Sequence, residues 1–189
     1  MMKAVLITGI NGFLGSHLAK RLSKHFRVIG IEYNIADLFR LNEFDFKVVD
    51  STPRSITNLF KEESIDIIVH TATFYGRNKE NIKQITGTNL VMPFNLLDLA
   101  IETQVKTFIN TDTVLDKFVS AYALTKNQLK DWLYFRRNEI KTINMQLEHF
   151  YGPGCNNSNF VTAMIERLKN NEASIDLTEG EQQRDFIYY

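Results

Sequence analysis

The chain has 189 residues, 44% of them hydrophobic, and its 22 basic and 22 acidic side chains give a formal net charge of zero. Those figures describe a globular domain with a substantial core and exclude a disordered chain. With no basic excess there is nothing to draw a nucleic acid or an anionic membrane surface.

No apolar run nears the roughly 20 residues of a membrane span. The N-terminal apolar run is a strand's length and leads into glycines, unlike a signal peptide. The single cysteine, Cys155, leaves no internal disulfide and reads as a passive loop residue. The expectation is a cytoplasmic protein without a metal site.

The first element is a strand over residues 4–7, continuously apolar as in a sheet covered on both faces. Gly9, Gly12 and Gly15 follow. This spacing suits a tight turn, close approach of backbone to a phosphate, and close packing of helix on strand. Asn11, Phe13 and Leu14 complete the turn, and a helix starting near Phe13 offers free N–H groups and a positive dipole end to a pyrophosphate. The helix runs to about residue 25 with Leu18, Leu22 and Phe26 on one face. A second strand, 27–32, ends at Glu32, whose carboxylate can accept both hydroxyls of an adenosine ribose and would repel a 2′-phosphate. The expected cofactor is therefore NAD rather than NADP. The next cation, Arg40, lies well beyond in sequence.

A third strand, 46–49, ends at Asp50-Ser51, where Asp50 could cap the helix that begins near Thr52-Pro53. After a helix over 56–63, a fourth strand, 65–70, runs into Thr71-Ala72-Thr73, small residues that let a cofactor lie across the strand end. His70 reads as a core imidazole in preference to a catalyst. A helix over 89–102 buries Leu90, Phe94 and Leu97, and its interior Pro93 predicts a bend. Asn89 would be its N-cap. The fifth strand, 105–110, ends at Thr111-Asp112-Thr113. A helix over 122–135 and a sixth strand, 141–147, follow. A helix over 159–170 is expected to bury Phe160, Ile165 and Leu168, and the chain closes on an apolar strand, 186–189. Strands alternate with helices throughout, which predicts an α/β fold with a doubly wound parallel sheet.

Tyr122 and Lys126 lie one helical turn apart on one face. A phenol is a poor base at neutral pH, and a nearby ammonium lowers its pKa. Tyr122 could then exchange a proton with a substrate oxygen while hydride moves at the adjoining carbon. Lys126 could also hold the nicotinamide ribose. Open α/β sheets bind ligands at the carboxyl ends of their strands, which places Thr111 to hydrogen-bond the same oxygen.

The glycine turn, HTAT (70–73), NLVMPFNLLDLA (89–100), FINTDT (108–113), AYALTK (121–126), LEHFYGPG (147–154) and GEQQRDFIY (180–188) together resemble the extended short-chain dehydrogenase/reductase family, the NAD-dependent epimerase/dehydratases. The likeness implies a Rossmann fold binding NAD, with Thr111, Tyr122 and Lys126 as catalytic residues and a nucleotide sugar as substrate. It gives Asp50, with Ser51, a contact to the adenine amino group beside its capping role, and makes Asn89 a support for the active-site helices. It points to reduction of a C4 ketone on a nucleotide-activated deoxysugar, with a 4-epimerase or a non-catalytic NAD-binding module as rivals. Related 4,6-dehydratases carry an Asp-Glu pair where this chain has Asp112-Thr113, so the base for elimination is missing and the pair is left to contact substrate.

His149 stands where many members touch the nucleotide sugar, either as a contact or as packing, and Arg184 matches an arginine that pairs with the substrate pyrophosphate. Two copies often pair in that family through the helix bearing Tyr122, so Trp132, Leu133 and Phe135 are candidates for a homodimer contact or for core. The family continues past this chain's last strand. The expected organisation is an NAD-binding domain over 1–150 and the start of a nucleotide-sugar region, 151–189, that reads as truncated.

Overall fold

In the computed structural model, which describes residues 2–155, 159–177, 179–181 and 183–189, the first apolar run becomes β1 (Ala4–Thr8), buried along its whole length. Alternate side chains of a strand point to opposite faces, and here the two faces feed separate cores. Ala4 and Leu6 join Leu96, Phe108 and Leu129 in one, and Val5 and Ile7 join Ile10, Ala19 and Val28 in the other.

Around β1 stand β2 (Arg27–Glu32), β3 (Lys47–Asp50), β4 (Ile67–His70), β5 (Thr107–Thr113) and β6 (Lys141–Leu147), in the order β3-β2-β1-β4-β5-β6. The pairings from β3 through to β5 are all parallel. This is the doubly wound arrangement expected from the alternating elements, and its order reverses between β1 and β4, where such sheets open a crevice for ligands. β5 continues through Thr111, Asp112 and Thr113, so these residues are strand rather than the loop after it.

The helices are α1 (Phe13–Leu22), α2 (Pro53–Glu62), α3 (Ile82–Thr86), α4 (Met92–Glu102), α5 (Ala121–Phe135) and α6 (Phe160–Lys169). Between α3 and α4 the chain makes a π-helical turn, Gly87–Val91. The turn explains how Pro93 is accommodated. A proline inside a continuous α-helix loses a hydrogen bond and crowds the preceding turn. Here α4 begins afresh at Met92, and Pro93 falls in its first turn, where no N–H partner is required. Asn89 therefore lies inside the π turn and is not an N-cap. The capping box that starts this run belongs to Asn81 and Gln84.

The chain forms two compact units, Met1–Gln146 and Leu147–Tyr189. In the second, β7 (His149–Tyr151), which the sequence did not suggest, pairs in parallel with β8 (Phe186–Tyr188). The expectation for α6 fails: Phe160, Ile165 and Leu168 are all exposed. So short a unit has too little chain to close a core over an apolar helix face. Gln182, within one of the segments that carry the family likeness, lies outside the described residues.

Candidate active site

The glycine turn is closed by backbone. Gly9 donates its N–H to the Ile31 carbonyl at 2.8 Å, and Gly12 donates to the Gly9 carbonyl at 2.9 Å. Gly9 has φ +66°, and a Cβ there would come within 2.9 Å of the Ala72 Cα. A Cβ at Gly15 would lie 2.1 Å from the Gly9 oxygen, so α1 can approach the turn only through hydrogen. No side chain caps α1 at Gly12, which leaves its first-turn N–H groups to an anion.

Glu32 stands beside this turn at the end of β2. Its Oε2 accepts the Asn11 N–H and its Oε1 the Tyr33 N–H, both at 2.8 Å. Each carboxylate oxygen keeps a lone pair for a ribose hydroxyl. Asn11 also donates its amide to the Asp37 carbonyl and accepts the Arg40 N–H. The loop is thus folded back on the turn, and Arg40 is brought close to it: its Nη1 is 3.5 Å from the Asn11 carbonyl. Distance in sequence had set Arg40 aside, and the fold does not.

At the end of β4, Thr71 donates its hydroxyl to the Thr8 carbonyl at 2.6 Å, and the N–H groups of Thr71 and Ala72 converge on the Thr8 hydroxyl at 3.2 Å each. This pins the small residues of Thr71-Ala72-Thr73 against β1 with Ala72 beside Gly9. Asp50 is paired with Glu32 in the sheet, and Ser51 follows it. Its oxygens accept the Thr52 N–H and the Ser55 hydroxyl; the Thr52 hydroxyl first, then these two donors, hold the carboxyl below its usual range. Of the two roles open to Asp50, the structure displays the one at the entrance to α2. A cradle that only glycine fits, an uncapped helix end and a ribose-accepting carboxylate together suit a dinucleotide, which Gly9, Asn11, Gly12, Phe13, Leu14, Gly15 and Glu32 would hold.

α5 starts at Ser120, whose hydroxyl accepts the Ala123 N–H. Tyr122 lies near its entrance and Lys126 one turn on. Lys126 is 1% exposed, and its Nζ donates to the Thr111 carbonyl at 2.8 Å. Burial lowers its pKa to about 8, against the opposing pull of Asp112. Burial pushes the Tyr122 phenol well above its ordinary value, with Tyr75 adding to the rise, while the Thr113 hydroxyl and the Arg77 guanidinium draw it down. The net direction is opposite to the lowering expected from the neighbouring ammonium, because burial dominates; the Lys126 ammonium itself is bonded to the strand backbone.

The hydroxyls of Thr111 and Thr113 face different groups. Thr111 donates its hydroxyl to the His70 carbonyl at 3.0 Å, and the hydroxyl beside Tyr122 is that of Thr113. Asp112, expected at the substrate, is 4% exposed. Its Oδ1 accepts the Thr113 N–H and its Oδ2 the Asn144 amide at 2.6 Å. Alternation along β5 sends it with Phe108 and Asn110 to the buried face beneath α5.

Asn89 is completely buried. Its amide donates to the Phe74 carbonyl and the Thr125 hydroxyl, both at 3.0 Å, and its Oδ1 accepts the Phe74 N–H and the Thr73 hydroxyl. It thereby ties the loop after β4 to α5. That loop carries residues the sequence reading missed. The Tyr75 ring lies 4.8 Å from that of Tyr122, and the Arg77 guanidinium stacks on Tyr75 at 5.0 Å. The only signal for them was their place after a strand end. His70, as expected, is a buried imidazole, bonded through Nδ1 to the Thr8 hydroxyl at 2.8 Å.

In the second unit, His149 and Arg184 are both exposed. His149 packs its ring 5.5 Å from Phe186, and Arg184 donates to the Gln183 carbonyl. Of the candidate pairing residues on α5, Leu133 belongs to the core, whereas Trp132 and Phe135 are exposed and meet edge to face. Among the described residues no cluster of metal-ligating side chains occurs, and no helix is long and apolar enough to cross a membrane.

Comparison with known proteins gives a consistent picture. The profile of the NAD dependent epimerase/dehydratase family matches residues 5–189. The chain is 33% identical over 197 residues to CDP-abequose synthase of Salmonella typhimurium, covering 97% of this chain and 65% of that protein, so it spans about two thirds of the relative's length. Among solved structures, UDP-glucose 4-epimerase of Thermotoga maritima with UDP-glucose superposes with a TM-score of 0.85 at 21% identity, over 98% of this chain and 69% of that one. WbmH of Bordetella bronchiseptica in complex with NAD+ superposes with a TM-score of 0.75 at 24% identity, over 90% of this chain and 64% of that one.

Proposed function

The chain belongs to the NAD dependent epimerase/dehydratase family, and from that premise we propose that it contributes the cofactor-binding and proton-transfer part of an NAD(H)-dependent reductase acting on the C4 ketone of a nucleotide-activated deoxysugar. The observation that carries this reading is Tyr122, whose phenol is held protonated by burial at the carboxyl end of the sheet, beside the Thr113 hydroxyl and one turn from the buried Lys126. A protonated phenol is the form needed to give a proton to a ketone oxygen as it becomes a hydroxyl.

Bound NADH would supply the hydride. The residues of this chain do the rest. Glu32 and the glycine turn fix the adenosine and pyrophosphate end. Thr71, Ala72 and Thr73 leave room across the end of β4. Lys126 presents a cation at the strand end where a nicotinamide ribose would lie, and Thr111 and Thr113 offer hydroxyls to the substrate oxygen. Thr113 carries no carboxylate with which to remove a sugar C–H proton, which favours reduction over elimination of water. The likeness to CDP-abequose synthase supports the sugar-nucleotide class of substrate. His149 and Arg184 are proposed to contact that substrate, and the exposed Trp132 and Phe135 to pair two copies of the chain.

Incubation with NADH and CDP- or dTDP-linked 4-keto sugars tests the reading. NADH consumed in proportion to the C4-hydroxy nucleotide sugar formed is the expected result. NAD that stays bound and is not consumed would turn the assignment to a 4-epimerase. NAD binding with no heat of binding for any nucleotide sugar would reduce it to a cofactor module.

A further inference from the structure

The face of the sheet beneath α5 changes character from one row to the next. Leu6, Ile68 and Phe108 are in register across β1, β4 and β5 and are wholly apolar. Thr8, His70 and Asn110 form the next row on the same face, and all three are 0% exposed. Three fully buried polar side chains at the carboxyl ends of β1 and β4 and beside them on β5 call for an explanation, because burying such groups without partners is unfavourable.

The Thr8 oxygen already accepts the N–H groups of Thr71 and Ala72, so its own hydrogen is the one shared with His70 Nδ1. That fixes the neutral imidazole as the tautomer with hydrogen on Nε2. His70 Nε2 and Asn110 Oδ1 are then a donor and an acceptor on paired residues of neighbouring strands, and each is a buried atom without a hydrogen-bond partner. Asn110 donates its amide to Asn144 Oδ1 at 2.7 Å, Asn144 donates to Asp112 Oδ2 at 2.6 Å, and Asp112 Oδ1 accepts the Thr113 N–H at 2.8 Å. From Asn110 onward the donors run through Asn144 to one buried carboxylate. On the next residue back along β5, the Thr111 carbonyl receives the Lys126 ammonium.

We propose that Asn144 and Asn110 are positioning residues: they hold Asp112 beneath α5 as the buried counter-charge that keeps Lys126 an ammonium. Lys126 is 1% exposed, and an isolated ammonium so deeply buried would shed its proton without a nearby anion. The charged and titratable groups around it are few. Asp112 comes from β5, His70 from β4 and Tyr122 from its own helix, and Lys83 on α3 lies on the exposed side of the segment packed against α5. His70 is neutral in its burial and Tyr122 is protonated, which leaves Asp112 as the carboxyl group near Lys126 among the described residues. This role accounts for an aspartate turned away from the place where substrate was expected, and for an asparagine in the middle of β6. The inference deepens the assignment of Lys126 given above and rests on it for its bearing on catalysis.

Titration of the Lys126 side chain by NMR, in the 189-residue chain carrying isotope-labelled lysine, tests it without recourse to activity. The Lys126 signal, assigned by its loss in K126M, is expected to titrate near 8 in the unaltered chain. Asp112→Asn, which keeps shape and removes charge, should lower that midpoint by about one unit or more, and Asn144→Ala, at the half-buried edge strand, by about half a unit. Midpoints within about 0.2 unit of the unaltered chain in the folded variants would overturn the proposal. Should D112N fail to fold, N144A decides alone. A shift of the midpoint in a chain whose Tyr122→Phe variant still turns over would leave this inference standing and remove the catalytic assignment. The reverse pair of results would do the opposite.

Discussion

The Lys126 ammonium donates to the carbonyl oxygen of Thr111 at 2.8 Å, and through that bond a cation with almost no access to water is moored to the strand that also carries Asp112. Burial lowers its pKa to about 8, below the value near 10.4 of an unfolded lysine. Between those two values the unfolded chain binds a proton that the folded one has released, so stability should rise with pH across that window. The full rise is of order 3 kcal/mol, at about 1.4 kcal/mol per unit. Urea denaturation at several pH values, compared with K126M, isolates it: the variant should lose the rise and be the more stable chain at neutral pH. Parallel pH profiles for the two chains would contradict the burial of a charged lysine.

Glu32 and Arg40 make opposite demands on an adenosine ribose at the glycine turn. With its carboxylate bonded to the Asn11 N–H, Glu32 favours free ribose hydroxyls. Glu32→Ala should weaken NADH binding about tenfold and remove the discrimination against NADPH, because Arg40 is already folded against Asn11 and can meet a 2′-phosphate. Fluorescence titration with both cofactors measures it. An unchanged preference would place the ribose elsewhere.

Asn89 joins the loop after β4 to α5 through both ends of its amide. Asn89→Ala would leave the Phe74 backbone and the Thr125 hydroxyl short of partners in a buried setting, at a loss of about 1–3 kcal/mol in stability. The same loop carries Tyr75 and Arg77 to Tyr122, so the variant should also lose near-ultraviolet circular dichroism from the tyrosine pair. A stability change below about 0.5 kcal/mol would show that the amide is dispensable.

The sheet was legible because most of its strands are apolar runs of strand length with helices of ordinary period between them. The glycine turn and Glu32 were legible because their chemistry depends on spacing along one βαβ unit. What stayed hidden depends on contacts between distant segments. Arg40 returns to the turn through a loop anchored by Asn11. Thr111 and Thr113 sit two residues apart in one strand, and only the neighbours of that strand decide which hydroxyl meets Tyr122. Nothing along β6 marks Asn144 as the partner of Asp112 on the neighbouring strand. The π turn at Gly87–Val91 was hidden because a proline signals a break without saying how the chain accommodates it.

The claim on which the rest depends is that Tyr122 gives the proton to the substrate oxygen. Tyr122→Phe removes one hydroxyl and keeps the ring that packs against Tyr75. Its rate of NADH oxidation with a nucleotide-linked 4-keto sugar, measured beside its affinity for NADH, is the direct test. The expected result is a rate lower by about 10²–10⁴-fold, with NADH binding within about twofold of the unaltered chain. NADH oxidation at an undiminished rate would contradict it.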